Sequence, residues 1–515
     1  MAEAPPRRLS LLHSALIGVL ALAAALASGH LIAAFIGLNG SPFVAVANTV
    51  IDKSPQPIVE WAKGLFGTAD KLILKVGMAV VMVLVAMLAG LISRRKPLPG
   101  QIIFGIFGVI GVLAVYSRPD LGQVAVLAPV VSLLAGVLVF GWLHRILLPQ
   151  PFAGTAPAEG PNRRKFLVTS AGVAVGAGVA GLGGQIIGSS KDAEGSRQAV
   201  GLLIPAKTAP VIPADADFAK LGTPTFITPS RDFYRIDTAL AVPQVRTEDW
   251  SLRIHGMVDK ELTFNYSDIR NRPLIERTIT MTCVSNPVGG QYISNATWIG
   301  IDLAELLAEA GVKPGAEQLF STSVDGWTSG SPVPVVTEPN RGAMLAIGMN
   351  GEPLPIEHGF PARLVVPGLY GYVSATKWVT DIEITTWQAR EGYWLSRGWG
   401  EMGPIKTESR IDTPQGFEDV PAGRVTVSGI AWAQHTGIEK VEVRLDQGTW
   451  KTAELSAEVD INAWRMWWTD LDVPKGEHQV SVRATDKSGY TQTDQRVDTV
   501  PDGATGWHTT SFSAR

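Results

Sequence analysis

The chain has 515 residues, 46% of them hydrophobic, and its mean hydropathy is +0.17. This length exceeds one ordinary domain, and so apolar a composition excludes a wholly soluble protein. The formal charge is -3, and Lys or Arg do not alternate with aromatic residues, which argues against a nucleic-acid partner. Because Cys283 is the single cysteine, no disulfide can form within the chain.

Five apolar stretches predict helices that cross a membrane, since about 20 residues span the hydrocarbon core. Four lie in a transmembrane region at 1–150, and the fifth lies at 160–190. The stretches cover residues 11–38, 72–92, 102–116, 124–148 and 166–187. In the fifth stretch small residues recur every four positions, a spacing that lets helices pack closely in lipid. These residues are Gly172, Gly176, Ala180 and Gly184.

Clusters of basic residues predict the orientation of these helices. They lie before the first stretch, after the second, and between the fourth and the fifth. The positive-inside rule places all three clusters in the cytoplasm, so that everything after Ser189 lies outside it. A multi-pass protein of the cell membrane with an extracytoplasmic second half is therefore expected. Arg163 and Arg164 resemble a twin-arginine export signal retained as an anchor, although orientation alone would also explain the pair.

The second half divides into three parts by composition. Residues 191–217 are rich in Pro, Ala and Gly, which predicts a linker. Residues 218–415 alternate short β-rich segments with turns around one helix at 303–310, and this pattern predicts an α+β domain. Asp302 is expected as the N-cap of that helix, Glu305 as its capping-box partner and Gly311 as its stop. Residues 416–500 predict an all-β sandwich.

The segment around the single cysteine is the most informative part of the sequence. Residues 280–290 read Thr-Met-Thr-Cys-Val-Ser-Asn-Pro-Val-Gly-Gly, and residues 295–301 read Asn-Ala-Thr-Trp-Ile-Gly-Ile. Cys283 follows a predicted strand and precedes a glycine pair, so its sulfur can project into a site. A thiolate is a soft ligand that suits a transition metal. A lone cysteine is otherwise most often a small buried side chain.

This segment resembles the molybdenum-ligating segment of the sulfite oxidase family, and further stretches match in the family's order. They are residues 232–237, 325–327, and 358–363 continued by 374–378. The resemblance extends over about residues 218–494. It implies an α+β molybdopterin domain followed by an all-β immunoglobulin-like dimerisation domain. The resemblance does not cover the first four apolar stretches, which by themselves predict an N-terminal all-α transmembrane bundle, so a multi-domain protein is expected.

The resemblance also implies the cofactor and the residues that hold it. Molybdenum bound to molybdopterin is expected, with Cys283 as its protein ligand and Trp327 bordering the metal. Arg and Lys are the residue types that suit contact with a cofactor's terminal phosphate. The expected cofactor-binding residues are Tyr234, Arg235, Cys283, Asp325, His358, Arg363, Ala375, Thr376 and Lys377.

Two departures bear on the substrate. Animal and plant sulfite oxidases follow the cysteine with a pair of arginines, whereas residues 287–290 here read Pro-Val-Gly-Gly, and Trp327 stands in place of their active-site tyrosine. The expected activity is two-electron oxygen-atom transfer on a small sulfur- or nitrogen-containing substrate. Alternatives are a reductase of S-oxides or N-oxides, and a non-enzymatic receptor or transporter with a co-opted cofactor fold. Arg397, Lys406 and Arg410 are candidate substrate-binding cations, or else solvated loop charges.

The sequence also bears on the partners of the protein. It has no haem-attachment motif and no second cysteine for an iron-sulfur centre. Electrons are therefore expected to pass through a partner protein or a membrane carrier. The resemblance implies a possible homodimer formed through the C-terminal domain.

Overall fold

A computed structural model describes residues 8–55, 58, 61, 65–66, 70–118, 121, 123–148, 163–189 and 193–515. The described residues form two compact units. The first comprises those of Met1–Asp192 together with Ala239–Val242, and the second comprises Ala193–Thr238 and Pro243–Arg515.

The first unit is helical. Its described helices are α1 Leu11–Ile36, α2 Pro42–Lys53, α3 Asp70–Ile92, α4 Leu98–Tyr116, α5 Leu127–Leu147 and α6 Arg163–Ser189. By length and composition, five helical stretches can cross a membrane, and they coincide with the five apolar stretches of the sequence. α4 begins four residues earlier than predicted, because proline in the first turn is compatible with a helix.

Close approach between helices occurs on α1 and not along most of α6. A Cβ atom on Gly18 of α1 would lie 1.8 Å from the carbonyl oxygen of Ala86 on α3, so only glycine fits there. On α6, a Cβ at Gly184 would meet His30, whereas Gly172 and Gly176 have no neighbour within 4 Å of that position. Within the described residues, close approach along this stripe is therefore seen at Gly184, and at Gly172 and Gly176 it stays a prediction.

The second unit begins with a helix where a linker was predicted. α7, Ala193–Val200, buries Ala193, Ser196 and Val200. Arg197 holds the helix in place by donating to the carbonyl oxygens of Pro353 and Leu354, at 3.2 and 2.9 Å. The predicted linker therefore contains a docked helix. Eight residues present too short a pattern for helical periodicity to stand out from a Pro- and Ala-rich context.

Two sheets and four short helices form the next part of the second unit. One sheet has the order β2-β1-β10-β5-β6, and the other has the order β3-β4-β7-β8 with β9 also paired to β7. The strands are β1 Ser251–Gly256, β2 Leu262–Asn265, β3 Ile275–Thr282, β4 Ile293–Asp302, β5 Gln318–Ser323, β6 Thr328–Pro332, β7 Met344–Met349, β8 Glu352–Pro353, β9 Arg363–Val365 and β10 Val379–Thr385. The helices are α8 Tyr266–Arg270, α9 Leu303–Ala310, α10 Val333–Val336 and α11 Gly371–Ser374.

α9 starts and stops where the sequence predicts. The Asp302 side chain accepts a hydrogen bond from the Ala304 amide at 2.9 Å, and Gly311 ends the helix with a left-handed φ of 71°. Asp302 also forms an ion pair with Arg277. The expected capping box with Glu305 is therefore replaced by a bond one residue earlier.

Two further sheets follow. One has the order β11-β13-β17-β16, and the other has the order β12-β19-β18-β14-β15. Residues from both sheets share one core, which includes Val427, Val443, Trp467, Val482 and Phe512. The strands are β11 Glu408–Thr413, β12 Asp419–Val420, β13 Gly423–Trp432, β14 Ile438–Leu445, β15 Lys451–Thr452, β16 Glu454–Leu455, β17 Arg465–Val473, β18 Gly476–Asp486 and β19 His508–Ala514.

The C-terminal sheets extend beyond the predicted range of 416–500. β11 precedes it and β19 follows it, and they pair with β13 and β18 respectively. The pairing of β19 with β18 joins segments that are more than 20 residues apart in sequence. A pattern of local alternation does not reveal such a partner, which is why the boundary was drawn too narrowly.

Candidate functional site

Cys283 lies in a tight turn between β3 and β4. Its amide donates to the carbonyl oxygen of Tyr292 at 2.9 Å, and its own carbonyl accepts from the Asn286 amide at 3.0 Å. The thiol sulfur is 3.0 Å from the hydroxyl of Ser285. The Asn286 side chain closes the turn by accepting from the Tyr292 amide at 2.8 Å. The backbone thus fixes a half-buried thiol at the end of a buried strand.

Tyr234 lies close to this thiol. Burial, and then the nearby Cys283, raise the pKa of the Tyr234 phenol, which therefore stays protonated at physiological pH. The Tyr234 amide donates to Ser294 on β4 at 3.1 Å. The ring of Phe233 stacks on Tyr234 at 5.4 Å and packs edge-on against His358 at 5.5 Å. Phe233, which the sequence did not single out, thus joins two of the predicted cofactor-binding residues.

His358 is held as a neutral imidazole. Its Nε2 donates to the carbonyl oxygen of Ser230 at 3.0 Å, a tautomer that follows because a carbonyl only accepts. Burial, and then the charges of Lys377 and Arg363, lower the pKa of His358 to about 3. Its Nδ1 is buried and has no hydrogen-bond partner among the described residues. This nitrogen is therefore available to accept a bond from a bound group.

Three predicted cations gather beside His358. Arg363 is buried and donates to the carbonyl oxygens of His358 and Ala375, at 3.1 and 3.3 Å. The Lys377 ammonium bonds to Asp237 at 3.0 Å, and Arg235 pairs with the same carboxylate at 2.9 Å. Asp237 is therefore shared by two cations, and it is a residue whose role the sequence did not reveal.

The electrostatics of this group favour an anionic ligand. Burial lowers the pKa of Lys377 to about 8, against the opposing effect of Asp237, and burial also lowers the pKa of Arg363 to about 10. Buried cations in excess of their carboxylate partners are destabilised unless a further negative charge is bound. These cations fit the phosphate of a cofactor.

Ala375 and Thr376 position this group through the backbone. Ala375 supplies the carbonyl that Arg363 binds, and the Thr376 carbonyl accepts from the Leu364 amide at 2.9 Å. The Thr376 hydroxyl points into the protein, 2.7 Å from that of Ser321. The side chain of Thr376 therefore stabilises the sheet beneath the site.

The turn at 325–327 lies beside Lys377 and Trp378. Asp325 accepts a bond from the Trp327 amide at 3.3 Å, and the Trp327 carbonyl accepts from Ser323 at 2.8 Å. The Val324 amide donates to the Trp378 carbonyl at 2.9 Å. Both Asp325 and Trp327 are half-buried at this position.

Of the three candidate substrate cations, Arg410 is the one bonded to the cysteine segment. It donates to the Gly290 carbonyl at 2.9 Å and pairs with Asp412 at 2.8 Å. Lys406 is bonded instead to Asp502 and to the carbonyl of Gly503, at 3.2 and 2.6 Å. Arg397 lies over the ring of Tyr393 at 3.6 Å and donates to the carbonyl of that residue.

A second contact also joins the C-terminal sheets to the cysteine segment. A Cβ atom on Gly289 would lie 2.2 Å from the imidazole of His508 on β19, so glycine is required there, and its φ of 79° is left-handed. The His508 Nδ1 accepts from the Ile411 amide at 2.9 Å. The glycine pair that the sequence placed after Cys283 therefore serves as a packing surface for the C-terminal domain.

Comparison with known proteins agrees with this geometry. Residues 239–394 match the family model described as oxidoreductase molybdopterin binding domain, and residues 403–512 match the one described as Mo-co oxidoreductase dimerisation domain. Over 308 residues the chain is 30% identical to the mitochondrial sulfite oxidase of Homo sapiens. The aligned region covers 51% of this chain and 56% of that protein. It is 26% identical over 347 residues to nitrate reductase [NADH] 1 of Arabidopsis thaliana, covering 55% of this chain and 38% of that protein.

Among solved structures, the sulfane dehydrogenase SoxCD from Paracoccus pantotrophus is similar at 27% identity and a TM-score of 0.49, covering 56% of this chain and 83% of that chain. The chain spans about half the length of the curated sulfite oxidases it matches. Two segments of the chain are therefore similar to the molybdopterin-binding domain and to the dimerisation domain of molybdenum-cofactor oxidoreductases.

Proposed function

We propose that the chain is a membrane-anchored enzyme that oxidises a small sulfur compound, taking the transferred oxygen atom from water and releasing two electrons to a redox partner. The observation that carries this proposal is the convergence of the Cys283 thiol, Tyr234 and a group of buried cations at one site. The relatives named sulfite oxidase support a sulfur substrate.

The residues of the site would divide the work of holding the cofactor. Arg235, Arg363 and Lys377 would bind its terminal phosphate, and the unpaired Nδ1 of His358 would accept a bond from an N–H or O–H group of the cofactor. Tyr234 would donate to the pterin, and Cys283 would bind the metal. When bound, the cofactor supplies two-electron redox chemistry with transfer of an oxygen atom. The protein orients the substrate and moves the protons.

The charge around the cysteine segment supports a substrate that carries little negative charge. Residues 287–290 have no cation, and Arg410, whose guanidinium is bonded to this segment, is paired with Asp412. An anion bound there would have to compete with a buried carboxylate for the same guanidinium. The family resemblance alone favours sulfite, whereas this pairing favours a neutral thioether or sulfoxide.

A reductase of S-oxides or N-oxides is the second candidate, and the same pairing favours it as well. Purified protein should first be analysed for molybdenum and then assayed with sulfite, thioethers, S-oxides and N-oxides, in both directions. Oxidation of a sulfur compound faster than reduction of the corresponding oxide supports the proposal, and the reverse supports the reductase. Protein that lacks molybdenum when made in a cofactor-competent host would support the receptor or transporter alternative.

The arrangement in the cell is also proposed. The five apolar helices support a membrane anchor, and the basic clusters support an extracytoplasmic catalytic domain. A reporter fused after Ser189 should be active outside the cytoplasm. A cytoplasmic signal from that fusion would overturn both the count of five crossings and the proposed side.

Assembly and electron transfer complete the proposal. The match of residues 403–512 to a dimerisation domain supports a homodimer formed through the C-terminal sheets. Two electrons per turnover would pass to a partner protein or to a carrier dissolved in the membrane. Light scattering of the protein in detergent, at several concentrations, would distinguish a dimer from a monomer.

A further inference from the structure

One face of β11 carries three ionisable side chains that are shielded from solvent. Because side chains alternate along a strand, Glu408 and Arg410 lie on one face, and Ser409 and Ile411 lie on the other. The pairing with β13 is irregular at Asp412, and the ion pair with Arg410 places the Asp412 carboxylate beside the first face. Ile411 belongs to the core between the C-terminal sheets. The charged face therefore points away from that core. Glu408 is only 4% exposed.

This face points toward the cysteine segment. Arg410, in the middle of the row, bonds to the Gly290 carbonyl. Two residues before Glu408, the Lys406 amide donates to the hydroxyl of Tyr370 at 3.4 Å. Burial is the main cause that raises the pKa of Tyr370. The nearby Glu408 carboxyl raises it further, and the Cys283 thiol makes a smaller contribution in the same direction. Tyr370 thus lies within electrostatic range of both Glu408 and Cys283.

Glu408 holds its own proton at neutral pH. Its Oε1 is buried and has no hydrogen-bond partner among the described residues. Burial raises the pKa of Glu408 to about 8, although Lys406 and Arg496 act in the opposite direction. A carboxyl group with a pKa near the working pH both accepts and releases protons efficiently.

The reaction requires such a group. Oxidation of a sulfur compound consumes one water molecule and yields the oxygenated product, two protons and two electrons. The electrons leave to a one-electron acceptor protein or a membrane quinone, and the two protons must leave the site separately. The reverse reaction requires the same protons to enter.

We propose that Glu408 is a proton-relay residue that carries protons between the cofactor site and solvent, with the Tyr370 hydroxyl as the intermediate group. This inference rests on the proposed function. Glu408 acts through Tyr370 and does not touch the substrate.

The surroundings of Glu408 provide an exit. Lys406 is bonded to Asp502, whose side chain is 55% exposed, and to the carbonyl of Gly503. Gly503 lies against the Tyr370 ring, since a Cβ there would be 2.6 Å from the hydroxyl oxygen. Two other titratable groups lie near Glu408 and Arg410. Burial lowers the pKa of His508 to about 4, so that it is neutral at pH 7, and burial raises the pKa of Asp412 to about 6.

The central experiment replaces Glu408 by Gln in the full, cofactor-loaded chain. Gln is nearly isosteric with a protonated Glu, so the fold and the molybdenum content should be retained. We expect kcat to fall by about tenfold or more, within the range known for proton-transfer groups, with KM little changed. The limb of the pH profile near pH 8 should disappear. Glu408→Asp should restore part of the rate.

Two further variants test the route and the specificity. Tyr370→Phe should lower kcat to a similar extent, and combining it with Glu408→Gln should cause little further loss, since both residues serve one path. Glu442→Gln is the matched control, because Glu442 is a half-buried carboxylate on β14 that pairs with Arg483 outside the site. It should leave kcat and its pH profile unchanged.

Two readouts do not depend on turnover. The infrared spectrum should contain a protonated carboxyl band that Glu408→Gln removes and that titrates near pH 8. Native Glu408 keeps its proton up to about pH 8, whereas the unfolded chain loses it near 4.5, so stability falls as the pH rises between these values. Glu408→Gln should abolish this fall.

The outcomes separate this inference from the proposed function. Molybdenum-loaded wild-type protein that oxidises no sulfur compound overturns the proposed function. An active wild type whose folded Glu408→Gln variant keeps the same kcat and pH profile overturns the relay alone. A carboxyl band that titrates near pH 4.5 would also overturn it, because Glu408 would then be ionised at neutral pH.

Discussion

Arg410 donates a hydrogen bond to the carbonyl of Gly290, and this bond connects a strand of the C-terminal sheets to the segment that carries Cys283. The same guanidinium neutralises Asp412, whose pKa is nevertheless raised to about 6 by burial. The position of the cysteine segment therefore depends on a residue of the C-terminal sheets.

Replacing Arg410 by Met should destabilise the protein, because Asp412 would be left buried without its cation. Loss of one partner of a buried pair costs about 3–5 kcal/mol, and partial exposure here reduces the expected loss to about 2–4 kcal/mol. Thermal unfolding followed at pH 7.5 would measure it. Arg424→Met removes an exposed cation paired with Asp470 and should have almost no effect. Equal thermal unfolding midpoints for Arg410→Met and Arg424→Met would contradict the structural role of Arg410.

Replacing Cys283 by Ser should abolish turnover while leaving the pterin bound. Ser is nearly isosteric with Cys but replaces a soft sulfur ligand by a weakly acidic hydroxyl. His358 and Lys377 are held by Ser230 and Asp237 rather than by the thiol, so the content of molybdopterin should stay near that of wild type. The electron paramagnetic resonance of Mo(V) should change. A folded Cys283→Ser protein with wild-type turnover and an unaltered signal would show that Cys283 is a packing residue.

Replacing Lys377 by Met should lower the cofactor content. The Lys377 ammonium shares Asp237 with Arg235, and its loss removes one of the charges that favour a bound phosphate. We expect the fraction of protein with bound molybdopterin to fall by about tenfold, equivalent to one charge-assisted hydrogen bond of roughly 1.4 kcal/mol. Fluorescence of the extracted pterin would measure it. Lys440→Met serves as the control, because Lys440 is an exposed lysine outside the site, and this variant should retain full content.

The second unit should lose stability in acid, and His358 and His508 should contribute. Burial lowers the pKa of His358 to about 3 and that of His508 to about 4, below the unfolded value of 6.5. Below pH 6.5 the unfolded chain therefore binds protons that the native protein does not, and stability falls as the pH is lowered toward these values. Above pH 6.5 neither residue contributes a pH dependence. Unfolding midpoints of wild type and His508→Gln between pH 8 and pH 5 should converge as the pH falls.

Replacing Arg163 and Arg164 by Lys should block export of the folded domain if the pair acts as a twin-arginine signal. The substitution keeps the positive charge that sets orientation and removes only the arginine pair. Protease protection in spheroplasts would show whether the second unit reaches the outer side. Its appearance there with a full complement of molybdenum would show that the charges serve orientation alone.

The sequence revealed those parts of the site that lie in continuous segments. The turn with Cys283 follows a strand, as the alternation before it predicts, and Arg363 and Lys377 gather with His358 as the resemblance implies. The turn depends on neighbours within a few residues, which is the range over which composition and spacing are informative, whereas the grouping of the cations came from the resemblance alone.

The buried row on β11 was not predictable in this way. Glu408, Arg410 and Asp412 alternate with Ser and Ile, which is the pattern of a strand with one face in solvent. Here that face is covered by the cysteine segment and by Tyr370, and only the folded arrangement shows the contact. Asp237 was missed for a similar reason, because one of its two cations, Lys377, is 140 residues away in the sequence.

The packing of His508 against Gly289 has a consequence for the order of synthesis. The cysteine turn cannot reach its final packing until the ribosome has made β19, more than 200 residues after Cys283. Cofactor insertion into a partly synthesised chain would therefore meet an open, unfinished turn. A pulse-labelled chain should acquire molybdopterin only after β19 has emerged from the ribosome. Complete chains would then bind the cofactor, and interrupted translation products would not.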